Sequence, residues 1–184
     1  MLDKIDSIYL GGAMAFTFLK AQGLDVGNSY YDQLNIPKAS QFLALCRKKS
    51  VRVYLPEDIL AISSIQSKIE LFPFTKIKRG WTGLDIGPKT VAVWSSALAR
   101  ASTIFWNGPL GVWEREEFSR GTRDFAQVVT TLSSIAVAGG GDLTAALRHF
   151  ELDKKFYYVS TGGAASLEFL QKGHLPGIDA LSLI

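Results

Sequence analysis

Short apolar runs that end in glycine-rich turns constrain this chain more than any other feature. Ile135-Ala136-Val137-Ala138 enters Gly139-Gly140-Gly141-Asp142, and the residues from Leu143 to Leu147 continue with helical character. The same order recurs. Ile8-Tyr9-Leu10 runs into Gly11-Gly12, Ile104-Phe105-Trp106 into Asn107-Gly108-Pro109-Leu110-Gly111, and Tyr157-Tyr158-Val159 into Ser160-Thr161-Gly162-Gly163. Strands separated by helices, without hairpin signals, predict an α/β fold: a Rossmann-like parallel sheet flanked by helices in three layers. In such a sheet the turns lie together outside the carboxyl ends of the strands, where ligands bind.

Glycine has no Cβ, so adjacent glycines let backbone N–H groups approach a phosphate, and a helix starting there adds its dipole. Asp142 is expected to cap that helix and to present a carboxylate where a phosphate-bound Mg2+ would sit. Taken alone, a Gly-Gly-Gly-Asp turn is more often ordinary strand-to-helix chemistry than a ligand site. Several glycine turns on one rim point instead to a nucleotide-sized anion. Neither G-x-x-x-x-G-K-[ST] nor G-x-G-x-x-G occurs, so the pattern is not a P-loop or a dinucleotide fingerprint.

In chain order, Met1 to Asp6 is short and charged, like the tail of a helix belonging to an upstream segment, and the first strand begins at Ser7. A helix is predicted over Ala13 to Gln22, with Met14, Phe18 and Leu19 facing the sheet and Gly23 as its C-cap. A second runs from Tyr31 to Lys48, with Pro37 near its start and Phe42, Leu45 and Cys46 on its inner face. Val51 to Leu55 is a strand stopped by Pro56. Leu60 to Arg79 reads mainly as loop with a short extended piece. Trp81 to Gly87 is a strand and turn, and Pro88 suits the first turn of a helix over Lys89 to Ala101 that carries Val91, Trp94 and Leu98 on one side. Further helices are predicted over Gly121 to Leu132 and Ala164 to Gln171, after which Leu175-Pro176-Gly177 breaks the chain into a tail.

The 184 residues are 47% apolar and 20% charged, enough for one globular domain, and no linker or low-complexity stretch divides them. The net charge of +3 is small. Its basic clusters, Arg47-Lys48-Lys49 and Lys76-Ile77-Lys78-Arg79, form no stripe that would track a nucleic acid. No apolar run is long enough to cross a bilayer, and the N-terminus lacks the basic-then-apolar order of a signal peptide. Cys46 has no second cysteine to pair with, which fits a reducing cytoplasm, and its Leu43-Ala44-Leu45 setting predicts a buried helical face.

Six motifs, in order along the chain, carry a resemblance. They are Gly11-Gly12-Ala13-Met14-Ala15-Phe16-Thr17-Phe18-Leu19-Lys20, Gly80-Trp81-Thr82-Gly83-Leu84-Asp85-Ile86-Gly87-Pro88, Trp106-Asn107-Gly108-Pro109-Leu110-Gly111-Val112-Trp113-Glu114, Gly139-Gly140-Gly141-Asp142, Ser160-Thr161-Gly162-Gly163-Ala164-Ala165-Ser166-Leu167-Glu168 and Leu175-Pro176-Gly177-Ile178-Asp179-Ala180-Leu181. Together they resemble the C-terminal, nucleotide-binding domain of phosphoglycerate kinase, with residues 1–184 as one partial domain. The resemblance implies phosphoryl transfer between 1,3-bisphosphoglycerate and ADP, giving 3-phosphoglycerate and ATP in glycolysis. It also implies Mg2+ on the nucleotide, a cytoplasmic location and a monomer when the protein is complete. By the same resemblance, Gly83 and Leu84 line the adenine pocket with Pro109 and Val112 opposite. Glu114 matches the carboxylate that accepts hydrogen bonds from the ribose hydroxyls, and Asn107 matches a polar contact at the phosphate end. Asp142 matches the metal-associated carboxylate, Gly140 and Gly141 its glycine neighbours, and Gly11 and Gly12 a further turn of the nucleotide site. Gly162 and Gly163 match a helix N-terminus that stabilises charge on the transferring phosphoryl group, so they and Asp142 are the candidate catalytic residues.

The chain also departs from the family pattern. Ala13 and Ala164 stand where the family usually has glycine. Leu143 stands where the family has a threonine whose hydroxyl is a phosphate or metal-shell ligand, and Thr144 would point roughly 100° away from it. The family's domain begins with a strand ending in Gly-Gly-Ala-Lys and a following helix, which supply two lysines, and a separate N-terminal domain binds phosphoglycerate through arginines. These are not in this sequence. The expectation is a sheet without the family's first strand, in a chain that binds ADP or ATP but is inactive alone and meets phosphoglycerate only through the missing domain. A rival is a non-catalytic nucleotide-binding or interaction remnant. Another phosphate-ester enzyme on the same rim ranks last, because no His, Cys or Lys lies in the glycine turns to act as base or nucleophile. Trp81, Trp106 and Trp113 read first as apolar fillers, and Lys20, Lys172, His149 and His174 as surface residues.

Overall fold

The computed structural model describes residues 2–181. Strand β1 (Ser7–Tyr9) pairs in parallel with β2 (Arg52–Tyr54), while β6 (Thr103–Asn107), β7 (Ile135–Gly139) and β8 (Tyr158–Ser160) form a second parallel sheet in that order. Helices α1 (Gly12–Ala21), α2 (Ile36–Lys48), α3 (Pro88–Leu98), α4 (Arg120–Thr131), α5 (Gly141–His149), α6 (Gly163–Lys172) and α7 (Pro176–Leu181) flank them. The expected α/β fold is present. Gly23 follows α1 with φ +78°, and Pro37 and Pro88 stand in the first turns of α2 and α3. No helix among the described residues is long and apolar enough to cross a membrane.

The stretch from Leu60 to Arg79 is not a loop. β3 (Asp58–Ser63), β4 (Ile69–Pro73) and β5 (Trp81–Ile86) form an antiparallel sheet in the order β4-β3-β5, although the sequence carries no hairpin signal. Its turn lacks the Asn-Gly or Asp-Gly pair that marks a tight hairpin. Ser63 organises it instead. The Ser63 N–H donates to the Lys68 carbonyl (2.8 Å), its hydroxyl accepts from the N–H groups of Ile65 and Gln66 (both 3.3 Å), and Ser67 takes a φ of +52°. β3 buries Ile59 and Ala61 and leaves Leu60 and Ile62 half covered, the alternation of a strand with one face on the core.

Helix α1 lies between two cores. Phe16 packs against Phe74 in the larger (ring centres 5.6 Å apart), and Phe18 packs against Phe42 of α2 in the smaller (5.8 Å). The residues buried on its two sides leave Met14, expected to face the sheet, 61% exposed. Leu45 likewise turns outward while Ala39 and Cys46 face in. α2 starts at Ile36 rather than Tyr31, because the Asp32 carboxylate caps a short 3-10 turn by accepting from the N–H groups of Leu34 (3.0 Å) and Asn35 (3.2 Å). Beyond Leu175 the chain forms α7 rather than a bare tail, with Pro176 at its first position. Leu2–Lys4 makes a single 3-10 turn, and Met1 lies outside the described residues.

Among the described residues β1 and β6 do not pair, so the parallel strands fall into two sheets. A chain of edge-on rings still connects them: Tyr9 on Trp94 (5.5 Å), Trp94 on Phe125 (5.8 Å) and Phe125 on Trp106 (5.2 Å). The two middle rings come from α3 and α4, so one core reaches both sheets. On β6 and β7, Ile104, Trp106, Ala136 and Ala138 face this core, whereas Phe105 and Val137 line an apolar groove of about 450 Å³ beneath α6 and α7.

Candidate functional site

Three strand ends and two helix starts meet at Asn107. Cβ atoms placed on Gly139, Gly140 and Gly163 would lie 3.3, 3.0 and 2.5 Å from the Asn107 amide oxygen. A Cβ on Gly163 would also lie 2.8 Å from the Gly140 Cα, so backbone rather than a movable side chain excludes any larger residue there. The Gly140 N–H donates to the Ser160 carbonyl (2.9 Å), tying the end of β7 to that of β8, and Gly140 holds a φ of +98°. The Ser160 hydroxyl accepts from the Gly162 N–H (3.2 Å). The starts of α5 and α6 are thereby drawn together.

Gly140, not Asp142, is the cap of α5, and Asp142 sits exposed in its first turn. Within α5 the Thr144 N–H bonds to the Gly140 carbonyl (3.0 Å), which leaves the N–H groups of Gly141, Asp142 and Leu143 for a ligand or solvent. Leu143 contributes nothing else to the rim. Its side chain is fully buried in the larger core, away from any phosphate, and Thr144 is also buried, its hydroxyl donating to the Ser160 carbonyl (3.3 Å). No group of three or more His, Cys, Asp or Glu side chains that could hold a metal occurs among the described residues, so Asp142 is part of no such cluster.

A second arm of the rim forms where the turns after β1 and β6 touch. A Cβ on Gly12 would lie 3.2 Å from the Pro109 carbonyl oxygen, and one on Gly11 would collide with Leu110. The Trp106 indole N–H donates to the Gly108 carbonyl (2.7 Å), so this apolar filler also pins the loop. The Val112 N–H donates to the Leu84 carbonyl (2.9 Å), which brings Leu84 and Val112 together. Gly83 is buried in β5, its N–H donating to the Ser29 hydroxyl (2.9 Å), and a Cβ there would lie 2.5 Å from the Phe16 ring. It makes room for α1 behind the rim. Glu114 lies in the turn after Val112, exposed and outside every ion pair among the described residues. Trp113 packs toward His149 and Phe150 (5.8 and 6.5 Å), and its indole N–H is buried without an acceptor among the described residues.

Thr122 left no signal in the sequence. Fully buried in α4, its hydroxyl accepts from the N–H groups of Leu110 (3.0 Å) and Gly111 (3.3 Å). No spacing rule joins a helix residue to a loop twelve positions earlier; only the packed fold does.

The family model for phosphoglycerate kinase matches residues 1–173. The chain belongs to the phosphoglycerate kinase family. It is 44% identical to the phosphoglycerate kinase of Pseudothermotoga lettingae across 99% of this chain and 47% of that protein. It is 46% identical to that of Thermus thermophilus across 98% and 47%. Among solved structures, the phosphoglycerate kinase from Coxiella burnetii matches at a TM-score of 0.89 with 41% identity, over 97% of this chain and 47% of that one. The enzyme from Pyrococcus horikoshii matches at 0.74 with 26% identity, over 96% and 45%. The chain spans about half the length of the curated relatives it matches. Because the Coxiella match takes in nearly the whole chain, the antiparallel β4-β3-β5 sheet belongs to the phosphoglycerate kinase fold and is no peculiarity of this sequence.

Proposed function

We propose that this chain is the nucleotide-holding half of a phosphoglycerate kinase, binding ADP or ATP at the glycine rim for transfer of a phosphoryl group between 1,3-bisphosphoglycerate and ADP. The support is the convergence of Gly139, Gly140 and Gly163 on Asn107, which turns two helix starts toward one space. Adenine lies against Leu84, with Pro109 and Val112 opposite, and the ribose hydroxyls donate to Glu114. Gly11 and Gly12 let the Pro109 loop sit close, and Gly83 supports the pocket from behind. The phosphates run toward Asn107 and the free N–H groups of Gly141, Asp142 and Leu143, where the positive end of the α5 dipole favours negative charge.

An exposed carboxylate outside any such cluster fits a Mg2+ that arrives on the nucleotide, its other ligands being phosphate oxygens and water, and does not fit a metal held by protein alone. Asp142 would hold that ion, which when bound neutralises part of the phosphate charge. Gly162 and Gly163 start α6, and because the Ser160 hydroxyl and the Thr161 carbonyl take their own N–H groups, the first-turn N–H groups of Ala164 and Ala165 are the donors for charge building on the transferring group. Phosphoryl transfer depends on positioning and charge stabilisation, and the glycine turns carry no lysine or arginine of their own. The acyl phosphate belongs to the half of the enzyme outside this sequence, so this chain alone is inactive. The complete protein is read as a cytoplasmic, monomeric glycolytic enzyme. The lack of lysine and arginine in the glycine turns favours a second reading, a nucleotide-binding remnant without catalysis.

Calorimetric titration with Mg-ADP and with Mg-GDP tests the binding. Weak, adenine-selective association is expected, with a dissociation constant of about 1 mM or somewhat tighter. Absence of binding overturns the proposal. ATP formation on adding the phosphoglycerate-binding half of a related kinase separates the half-enzyme from the remnant, which stays silent.

A further inference from the structure

Asp85 is a buried carboxylate that the nucleotide chemistry does not use. It lies in β5, 2% exposed, next to Leu84. One oxygen accepts from the Gly121 N–H at the start of α4 (2.7 Å), and the other from the Ile86 N–H (2.9 Å). No lysine, arginine or hydroxyl reaches it among the described residues. Gly111 and Gly121 press on it so closely that a Cβ on either would overlap the carboxylate. The next residue of α4, Thr122, takes the N–H groups of Leu110 and Gly111, while Leu84 takes that of Val112. Leu84 of β5 and Thr122 of α4 thus hold one short loop, and Asp85 ties the start of α4 to β5 with Gly111 packed against it.

We propose that Asp85 is a positioning residue for the nucleotide rim, its carboxylate fastening the start of α4 and the 108–112 loop to β5 and so holding Val112 in register with Leu84. This rests on reading the rim as a nucleotide site. Ionised, the group accepts at both oxygens. Protonated, one oxygen becomes a donor and accepts more weakly, so the bond from the N–H of either Gly121 or Ile86 slackens. Burial pushes the Asp85 carboxyl up to about 7, against the pull of the Gly121 and Ile86 N–H groups and with a further push from the Asp124 charge on α4. Among the described residues no other ionisable side chain bears on it: the 108–112 loop carries none, and Asp58 of β3 is held by the N–H and hydroxyl of Thr90. The clamp therefore closes as the pH rises through neutrality.

The test compares the wild-type chain with Asp85→Asn, first without ligand and then with Mg-ADP, from about pH 6 to about pH 8. In the free wild-type chain the amide NMR signals of Gly111, Val112 and Gly121 are expected to shift with a common midpoint near 7, and in Asp85→Asn to stay flat. Mg-ADP affinity should rise about tenfold over that range in wild type, the weight of one hydrogen bond to a charged group, and should not change in the variant. Amides of Gly111 and Val112 that ignore the titration, or Asp85→Asn binding as tightly as wild type at about pH 8, overturn the proposal. A shared amide midpoint with no nucleotide binding at any pH upholds the clamp and overturns the nucleotide reading instead. Should Asp85→Asn fail to fold, Thr122→Val carries the test. Several-fold weaker affinity at every pH with the inflection kept supports the clamp, and unchanged affinity refutes it.

Discussion

Gly163 lies against Asn107 so closely that a Cβ on it would be 2.5 Å from the amide oxygen, while a Cβ on Gly141 would meet nothing within 4 Å. The two glycines of one rim therefore answer differently to the same methyl group. Gly163→Ala is expected to cost about 1–3 kcal/mol, because the Gly140 backbone behind Asn107 cannot move aside. Gly141→Ala, inside a helix and unobstructed, should be neutral or stabilising by roughly 0.5–1 kcal/mol. Urea unfolding of both variants checks the contrast.

Leu143→Thr restores the residue type of the family motif, yet Leu143 is fully buried in the core. The change removes apolar volume and buries a hydroxyl. A loss of about 2–4 kcal/mol is expected, with no gain in Mg-ATP affinity. Chemical denaturation and titration of the same sample measure both.

The Asp142 side chain is exposed and makes no hydrogen bond or ion pair among the described residues. Asp142→Ala should leave stability within about 0.5 kcal/mol of wild type. It should also shrink the difference in ADP affinity measured with and without Mg2+. An undiminished difference removes Asp142 from the metal.

Asp85 sets a pH dependence of stability with a definite sign. Its folded pKa of about 7 lies above the ordinary aspartate value of 3.8, so between the two the folded chain holds a proton that the unfolded chain has released. Its contribution to stability falls as the pH rises from about 4 to about 7 and is flat above. Asp85→Asn should remove that slope. Denaturation midpoints at about pH 5 and about pH 8, in wild type and variant, give the comparison.

Among the described residues, β1 and β6 have unpaired edges, and the groove along Phe105, Val137, Tyr158 and Phe169 is open. Low and broad thermal unfolding is expected for the chain alone. Adding the remaining half of a related phosphoglycerate kinase should raise and sharpen the transition, read by calorimetry, and an unchanged transition would show that the edges need no cover.

Local chemistry made much of this fold legible. A glycine after an apolar run, a proline in the first turn of α2 or α3 and Gly23 after α1 each act through their own backbone, so their meaning survives without a tertiary structure. The β3-β4 hairpin is hidden in the sequence because its turn works through the Ser63 hydroxyl rather than an Asn-Gly pair. The apolar pattern misplaces Met14 and Leu45 on the inner faces of α1 and α2, because it does not say how many cores a helix touches.

The sequence by itself determined the strand-turn-helix units, their family and the candidate rim residues, since all of these are carried by short motifs. Only the tertiary structure decided that Asn107 is gripped by Gly139, Gly140 and Gly163, that Leu143 is core, that Asp85 is buried against the start of α4, and that Thr122 holds the loop before Val112. Those contacts join residues up to 56 positions apart, as the numbers of Asn107 and Gly163 show. Their distances are set by how α4, α5 and α6 pack on the sheets, which no local pattern encodes.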